Sequence, residues 1–414
     1  MRILFVHQNF PGQFKHLAPA LAAQGHEVHA LGIEARPALP GVRHHRYKLS
    51  RGSTQGLWPL MADFEAKLIR GEACAKAALA LHKHGFTPDL IVCHPGWGEA
   101  LFLKDVWPRA RMLSFLEFYY NVEGADVNFD PEFANAAAST DPWAAVMDRA
   151  RLRSKNANNL LAMDLMDWGL CPTAWQKSTM PQAYHDRISV VFDGVDTNAL
   201  RPDPTARVRL ATAGRELQPG DEVITFVNRN LEPYRGYHVM MRALPEIQRL
   251  RPNAIVVVVG GDDVSYGARA PDGQSWKQVF LDEVKGRLDM ARVRFVGKLP
   301  YDSYVKLLQV SACHVYLTYP FVLSWSCIEA MSIGALVVGS DTQPVREVIE
   351  HGRNGLLVDF HDPGAVAATV AHALENRDRL GGLREQARRD VVSRYDLQTV
   401  CLPRQLDLVR QVAG

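Results

Sequence analysis

The sequence predicts an α/β protein of two doubly wound domains, each built on a buried parallel sheet. Three observations point there. Short apolar runs rich in Val, Ile and Leu recur along the chain without strict alternation, as strands covered on both faces do. Helical patterns separate the runs, which implies parallel strands joined by right-handed crossovers. The series occurs twice, on either side of "DGVDTNALRPDPTARVRLATAGRELQPGDE", a stretch rich in Pro, Gly and charge.

The first half contributes the strand candidates "RILFV", "HEVHAL", "DLIVCH", "RMLSFLEF" and "ISVVF". Between the first two lies "GQFKHLAPALAAQGHEV", helical in spacing up to Gly25. Pro19 falls in its middle and leaves the Lys15 carbonyl without a helical partner, so this helix either kinks or begins near Pro19. The second half contributes "VITFVNR", "AIVVVVGG", "VRFVG", "CHVYLTY", "ALVVGS" and "GLLVD". The divide is expected near Pro202, with one domain over 1–200 and another over 201–390. The tail over 391–414, with "YDLQTVCLPRQLDLVRQV", is expected to be a further amphipathic helix.

At 414 residues the chain exceeds one ordinary core. Hydrophobic residues at 47% and charged residues at 22% fit a globular protein, and a net charge of +2 gives no support to a nucleic-acid partner. The basic cluster "RHHRYKLSR", Arg43 to Arg51, is either a solvated loop or a contact for a membrane or an acceptor. Six scattered cysteines without a C-x-x-C pair argue against zinc and against a disulfide scaffold; they suit a reducing compartment, so a cytoplasmic protein is expected, with a peripheral contact at the cytoplasmic face of a membrane left open. "MRILFVHQNFPG" reads as a strand and not a signal peptide. Val310 to Ile328 has the length of a membrane span, but its histidine, proline and hydroxyls break it into a strand and a loop.

In doubly wound sheets ligands bind beyond the carboxyl ends of the strands, so the loops there hold the candidates. Ser326 and Glu329 form S-x-x-E, the spacing of a capping box, in which Glu329 only reaches back to a backbone amide. The alternative follows from position. The helix after "CHVYLTY" presents its amino end at the expected site, where amides suit a phosphate and a carboxylate one turn in suits a ribose diol. Arg229, at a strand end, and Arg235, before Gly236, are cations of the kind that grip phosphate oxygens; both are equally read as surface charge. Gly12 in "NFPGQF" allows a close approach of backbone to ligand. No G-x-G-x-x-G follows any strand, which disfavours a dehydrogenase, and no Walker A lysine motif is present. His94, before a Gly-rich turn with Trp97, and Glu117, among aromatics, are each either core or sugar-facing. No two aspartates stand two apart, so a D-x-D metal clamp for a nucleotide diphosphate is not available.

"YPFVLSWSCIEAMSIGALVVGSDTQPVREVIEHGRNGLLV" resembles the signature segment of retaining glycosyltransferases of family 4, which have the GT-B fold. "HQNFPGQFKHLAPALAAQGHEV", "FDGVDTNALRPD", "VNRNLEPYRGYHVMMRAL" and "VRFVGKLPYDSYVKLLQVSACHVYLTYP" agree with it in order. The resemblance implies two Rossmann-like domains facing across a cleft, with the C-terminal helix crossing back to the first. It implies transfer of a sugar from a UDP- or GDP-linked donor to a glycan, lipid or other acceptor, with retention of configuration and without a metal or other cofactor. By the same resemblance, Arg229 and Arg235 match the pair that grips the diphosphate, and Glu329 the second acid of E-x7-E, which holds the ribose. Gly12 matches the glycine near the phosphate, Lys298 and Leu299 the loop that meets the base, and the amides of Ser324, Trp325 and Ser326 remain for the sugar and phosphate. The first acid of the motif is replaced by Phe321, which leaves the donor sugar open. Glu117 is the nearest polar residue to the family's usual histidine near the donor sugar. Two alternatives stand beside transfer: a nucleotide-sugar epimerase of the same fold, and a non-catalytic nucleotide-sugar-binding protein.

Overall fold

The computed structural model describes residues 1–133, 141–210 and 216–414; part of the expected interdomain stretch, at 211–215, lies outside them. Contacts group the chain into two units. The first takes Met1–Asn128, the stretch ending at Gly194, and Gln398–Gly414; the second takes Phe129–Phe133 and Val195–Leu397.

Seven parallel strands form the sheet of the first unit: β1 (Arg2–Val6), β2 (Glu27–Gly32), β3 (Val42–Arg46), β4 (Leu90–Cys93), β5 (Arg111–Phe115), β6 (Trp168–Cys171) and β7 (Ile188–Val190). Their order is β3-β2-β1-β4-β5-β6-β7, so the winding reverses between β1 and β4. Two of these strands were not expected from the sequence. β6 is four residues long and contains Trp168 and Gly169. β3 is part of the basic run: the expected loop begins as an edge strand, with Arg43 and Arg46 exposed, and edge charge discourages pairing with another chain.

Buried residues from β1, β4 and β5 join Leu17 and Leu21 of the helix Leu17–Ala23 in one core cluster. Pro19 sits in that helix's first turn, where its missing N–H breaks no helical bond; a 3₁₀ turn, Gly12–Lys15, precedes it. Leu408, Val409 and Val412 of the C-terminal helix Leu402–Ala413 are buried in the same cluster, and the Gln405 side chain donates to the Phe192 carbonyl over 3.0 Å. The tail thus packs onto the first unit. The other face of the sheet packs against Ala73, Cys74 and Ala78 of the long helix Pro59–Lys83.

The second unit has a small antiparallel pair, β8 (Val208–Arg209) and β9 (Glu216–Leu217), and a parallel sheet of six strands. These are β10 (Val223–Asn230), β11 (Ile255–Gly261), β12 (Val293–Gly297), β13 (Cys313–Tyr316), β14 (Leu336–Ser340) and β15 (Leu356–Val358), in the order β12-β11-β10-β13-β14-β15. Winding reverses between β10 and β13. The apolar stretch Val310 to Ile328 divides into β13, a loop and the start of the helix Trp325–Ile333, and no described helix is long and apolar enough to cross a membrane. The divide expected near Pro202 falls between Gly194 and Val195, and the return falls at Gln398. There Val195 bridges Asp396, with Val195 N 2.9 Å from the Tyr395 carbonyl and Leu397 N 2.8 Å from the Val195 carbonyl.

Candidate functional site

In the second unit Arg229, Arg235 and the stretch Ser324 to Glu329 follow β10 and β13, the strands between which the order reverses, whereas Lys298 and Leu299 follow the edge strand β12. β10 ends at Arg229 and Asn230. The Arg229 side chain is exposed and makes no hydrogen bond or ion pair among the described residues. A 3₁₀ turn, Pro233–Arg235, and Gly236 lead into the helix Tyr237–Leu250. Gly236 has φ +65°, and a Cβ there would stand 2.3 Å from Leu317 Cβ, so only glycine lets the turn pack against the chain after β13.

Arg235 differs from Arg229 in every respect. It is buried; its Nη1 donates to Thr318 Oγ1 over 2.8 Å and to the Val322 carbonyl over 3.0 Å. Its guanidinium carbon lies 5.1 Å from the Tyr266 ring centre and 5.7 Å from that of Phe321. Phe321 is itself buried against Tyr266 at 4.8 Å and Tyr234 at 5.6 Å. Glu232 fixes this aromatic shelf: its buried carboxylate accepts from the amides of Ser265, Tyr266 and Gly267 at 3.1 to 3.4 Å.

The helix after β13 settles the capping question. Ser324 is its N-cap and accepts from Ser326 N over 3.4 Å, while Ser324 N donates to the Tyr316 hydroxyl over 2.8 Å. Ser326 is therefore inside the helix. Glu329 lies beyond the first turn and caps nothing. Its two oxygens accept instead from the hydroxyls of Tyr301, at 2.8 Å, and Tyr304, at 2.6 Å. The capping box is corrected on this geometry. Trp325 opens the helix. Lys298 and Leu299 follow β12 and lead into the helix Tyr301–Gln309, which carries both phenols. Lys298 lies over Gly261, where a Cβ would meet its Cε at 2.4 Å; Leu299 packs into the core of this unit.

The first unit assembles a separate polar cluster, again at the strand reversal. His7 follows β1, His94 follows β4 and Glu117 follows β5. His7 Nδ1 accepts from Asn9 N over 3.0 Å, so its Nε2 carries the proton and donates to Gln13 Oε1 over 2.9 Å. Gln13 Nε2 donates to Glu117 Oε1 over 2.9 Å. His94 Nδ1 accepts from Gly96 N, so its Nε2 donates to Glu117 Oε2 over 3.2 Å. Each donor thus has a consistent acceptor along the chain from His7 to His94. Burial, and then the nearby His94, push the His7 pKa down to about 3. Burial pulls the Glu117 carboxyl up, but the hydrogen bond and charge of His94, with His7 and Gln13, outweigh it and leave it below its ordinary value. Trp97 stacks on His94 with ring centres 4.3 Å apart. Gly12 has φ +48°, and a Cβ there would stand 2.4 Å from His7 Nε2, so this glycine admits the imidazole.

Sequence reading missed His7, Gln13, Glu232, Tyr266, Tyr301 and Tyr304. His7 ends a strand beside Gly12 and carried a signal; the others act through partners far away in sequence.

One further set belongs to the second unit. Phe129–Phe133 inserts Phe129 against Tyr319 and Phe360, and Phe133 against His238, Trp276 and Phe280. Asp130 accepts from the Tyr319 hydroxyl at 2.8 Å and lies 2.9 Å from His238 Nε2, while Arg242 binds both oxygens of Glu132 at 2.6 and 2.8 Å. Asp130, Glu132 and His238 are close enough together to hold a metal ion. Their facing atoms are already occupied by protein partners, one of them a guanidinium.

Comparison with known proteins agrees with both halves. A family described as glycosyl transferase family 4 group matches residues 24–200, and one described as glycosyl transferases group 1 matches residues 211–390. A D-inositol 3-phosphate glycosyltransferase of Nocardioides sp. is 31% identical over 227 residues, covering 52% of this chain and 48% of the relative. Another, of Thermobispora bispora, is 28% identical over 229 residues, covering 53% and 51%. The chain thus spans about half the length of the curated relatives it matches. Among solved structures, sucrose-phosphate synthase of Thermosynechococcus elongatus has a TM-score of 0.73 at 18% identity, covering 100% of this chain and 99% of that one. Anabaena Alr3699/HepE in complex with UDP has a TM-score of 0.67 at 16% identity, covering 99% and 100%. Both likenesses concern the fold.

Proposed function

We propose that the chain, matched over residues 24–200 by the glycosyl transferase family 4 group and over residues 211–390 by glycosyl transferases group 1, is such an enzyme and moves a sugar from a UDP- or GDP-linked donor to a glycan or lipid-linked acceptor, with retention of configuration and without a metal. The observation that carries this reading is the pairing, at the strand reversal of the second unit, of an unpartnered exposed cation, Arg229, with the Ser324-capped amino end of the helix Trp325–Ile333. Breaking the bond from the sugar's anomeric carbon to the diphosphate leaves charge on the departing phosphate. Fixed donors aimed at that charge are worth about 2.7–4 kcal/mol each in the transition state. Arg229 supplies one directly. Arg235 supplies fixed positive charge beside it, held by Thr318 and the Val322 carbonyl.

Glu329 takes the ribose hydroxyls, and Lys298 with Leu299 borders the base. The amino end of the helix Trp325–Ile333 serves the phosphate and sugar by exchange, the Ser324 and Ser326 amides giving up the Tyr316 hydroxyl and the Ser324 Oγ that they meet in the free protein. On the first unit, ionised Glu117, oriented by Gln13 and His94, binds a sugar or acceptor hydroxyl; Gly12 supports it by admitting the His7 ring. Attack comes from the face the diphosphate leaves, with no protein nucleophile assigned. A nucleotide donor accords with the complex that Alr3699/HepE forms with UDP. We place the protein in the cytoplasm, with the basic edge strand β3 as its contact to an anionic membrane surface.

Phe321 favours one second reading. Where related enzymes carry an acid for the donor sugar, this chain buries a ring under Tyr266. A nucleotide-sugar sensor without catalysis would tolerate that change; an epimerase of the same fold is an alternative that Phe321 does not bear on.

A thermal-shift panel of nucleotides and nucleotide sugars tests the reading. A ligand at ~100 times its dissociation constant adds about 2.7 kcal/mol of stability. Stabilisation by UDP or GDP compounds is expected, together with acceptor-dependent release of nucleoside diphosphate. Binding without release supports the sensor, conversion of the sugar without an acceptor supports the epimerase, and no stabilisation by any nucleotide overturns the proposal.

A further inference from the structure

Glu329 is buried, yet neither of its oxygens is bound to a cation or a backbone amide among the described residues; both are held by phenols of a single helix. The two phenols differ in exposure. Tyr304 is 8% exposed and Tyr301 is 54% exposed, with ring centres 5.7 Å apart. Burial, then the Glu329 charge, raises the pKa of both hydroxyls far above the ordinary tyrosine value, so both are donors to the carboxylate at any working pH. A carboxylate offers about four lone-pair positions, and the phenols occupy two.

The two bonds respond differently to a competitor. A buried hydroxyl that loses its acceptor is left unpaired, which is costly; an exposed hydroxyl that loses its acceptor turns to water at little cost. A cis-diol brings two donors of its own. The Tyr301 bond to Glu329 is part-buried and the Tyr304 bond is buried, so the Tyr301 bond is the one more open to a competitor.

We propose that Tyr304 is a fixed positioning residue for Glu329, and that Tyr301 is a place-holder whose hydroxyl leaves the carboxylate when a nucleotide ribose arrives; this rests on the reading of Glu329 as the ribose acceptor and gives it a mechanism. Exchange of one exposed donor for a ribose hydroxyl keeps the carboxylate hydrogen-bonded throughout. It also makes the affinity for ribose a difference between two hydrogen bonds rather than the strength of one.

The test is titration calorimetry with UDP and GDP, each beside its 2′,3′-dideoxy counterpart. Wild type is expected to prefer the ribonucleotide. Tyr301→Phe removes the competitor and should tighten the ribonucleotide by about threefold to tenfold, leaving the dideoxy form unchanged, so the preference grows. Tyr304→Phe should weaken the ribonucleotide selectively, so the preference shrinks. Weaker or unchanged ribonucleotide binding by Tyr301→Phe overturns the place-holder, and an unchanged preference in Tyr304→Phe overturns the fixed support. Tyr301 is exposed, so its variant decides alone should Tyr304→Phe melt early. A different result marks failure of the underlying reading: no preference for ribose in wild type, or an undiminished one in Glu329→Gln. Binding of neither nucleotide overturns the reading and the proposal together.

Discussion

Phe321 packs beside the guanidinium of Arg235, whose carbon stands 5.7 Å from the ring centre. This cation lies over two rings, with two oxygen acceptors at its edge. Arg235 is therefore structural as well as cationic. Arg235→Ala should leave the Thr318 hydroxyl and the Val322 carbonyl without this partner and lower stability by about 2–3 kcal/mol. Arg229→Ala, at an exposed side chain without partners, should stay within about 0.5 kcal/mol of wild type. Urea unfolding compares them. Equal losses would contradict the division of labour.

His7 predicts a pH dependence. Its pKa falls from 6.5 to about 3 on folding, so the unfolded chain binds more protons between those values. Stability is full above about pH 6.5 and is lost as pH falls toward 3, with roughly 3 kcal/mol gone by pH 4. Glu117, also lowered, acts in the same direction at the acid end. His7→Gln should flatten the slope between pH 6.5 and 4.5. An unchanged slope would show that another group governs it.

Asp130 holds two buried partners, the Tyr319 hydroxyl and His238 Nε2. Asp130→Ala should cost about 2–4 kcal/mol, because both are left behind in the interior. Glu132→Gln, which breaks a half-exposed pair with Arg242, should cost about 0–1 kcal/mol. Comparable losses in denaturant titrations would contradict this ranking.

The strands with dense apolar runs were legible because burial on both faces leaves a compositional trace. β3 was not, because an edge strand carries charge and reads as a loop; β6 was not, because four residues are too few for a period. That Arg229, His94 and Glu117 stand at or just past strand ends was legible because the apolar runs mark where the strands stop. Their partnerships were not. That Glu329 caps nothing depends on Tyr301 and Tyr304 from another helix, and that Glu117 is oriented depends on Gln13, and neither contact leaves a local pattern. Pro19 was an ambiguity that only the position of the preceding 3₁₀ turn resolved.

The most direct measurement is turnover of Arg229→Ala with the preferred nucleotide sugar and acceptor, read as nucleoside diphosphate released, alongside its melting curve. A loss of at least about a hundredfold in turnover with an unchanged melting temperature is expected. Turnover near that of wild type in the folded variant would contradict the assignment of a diphosphate to this end of β10.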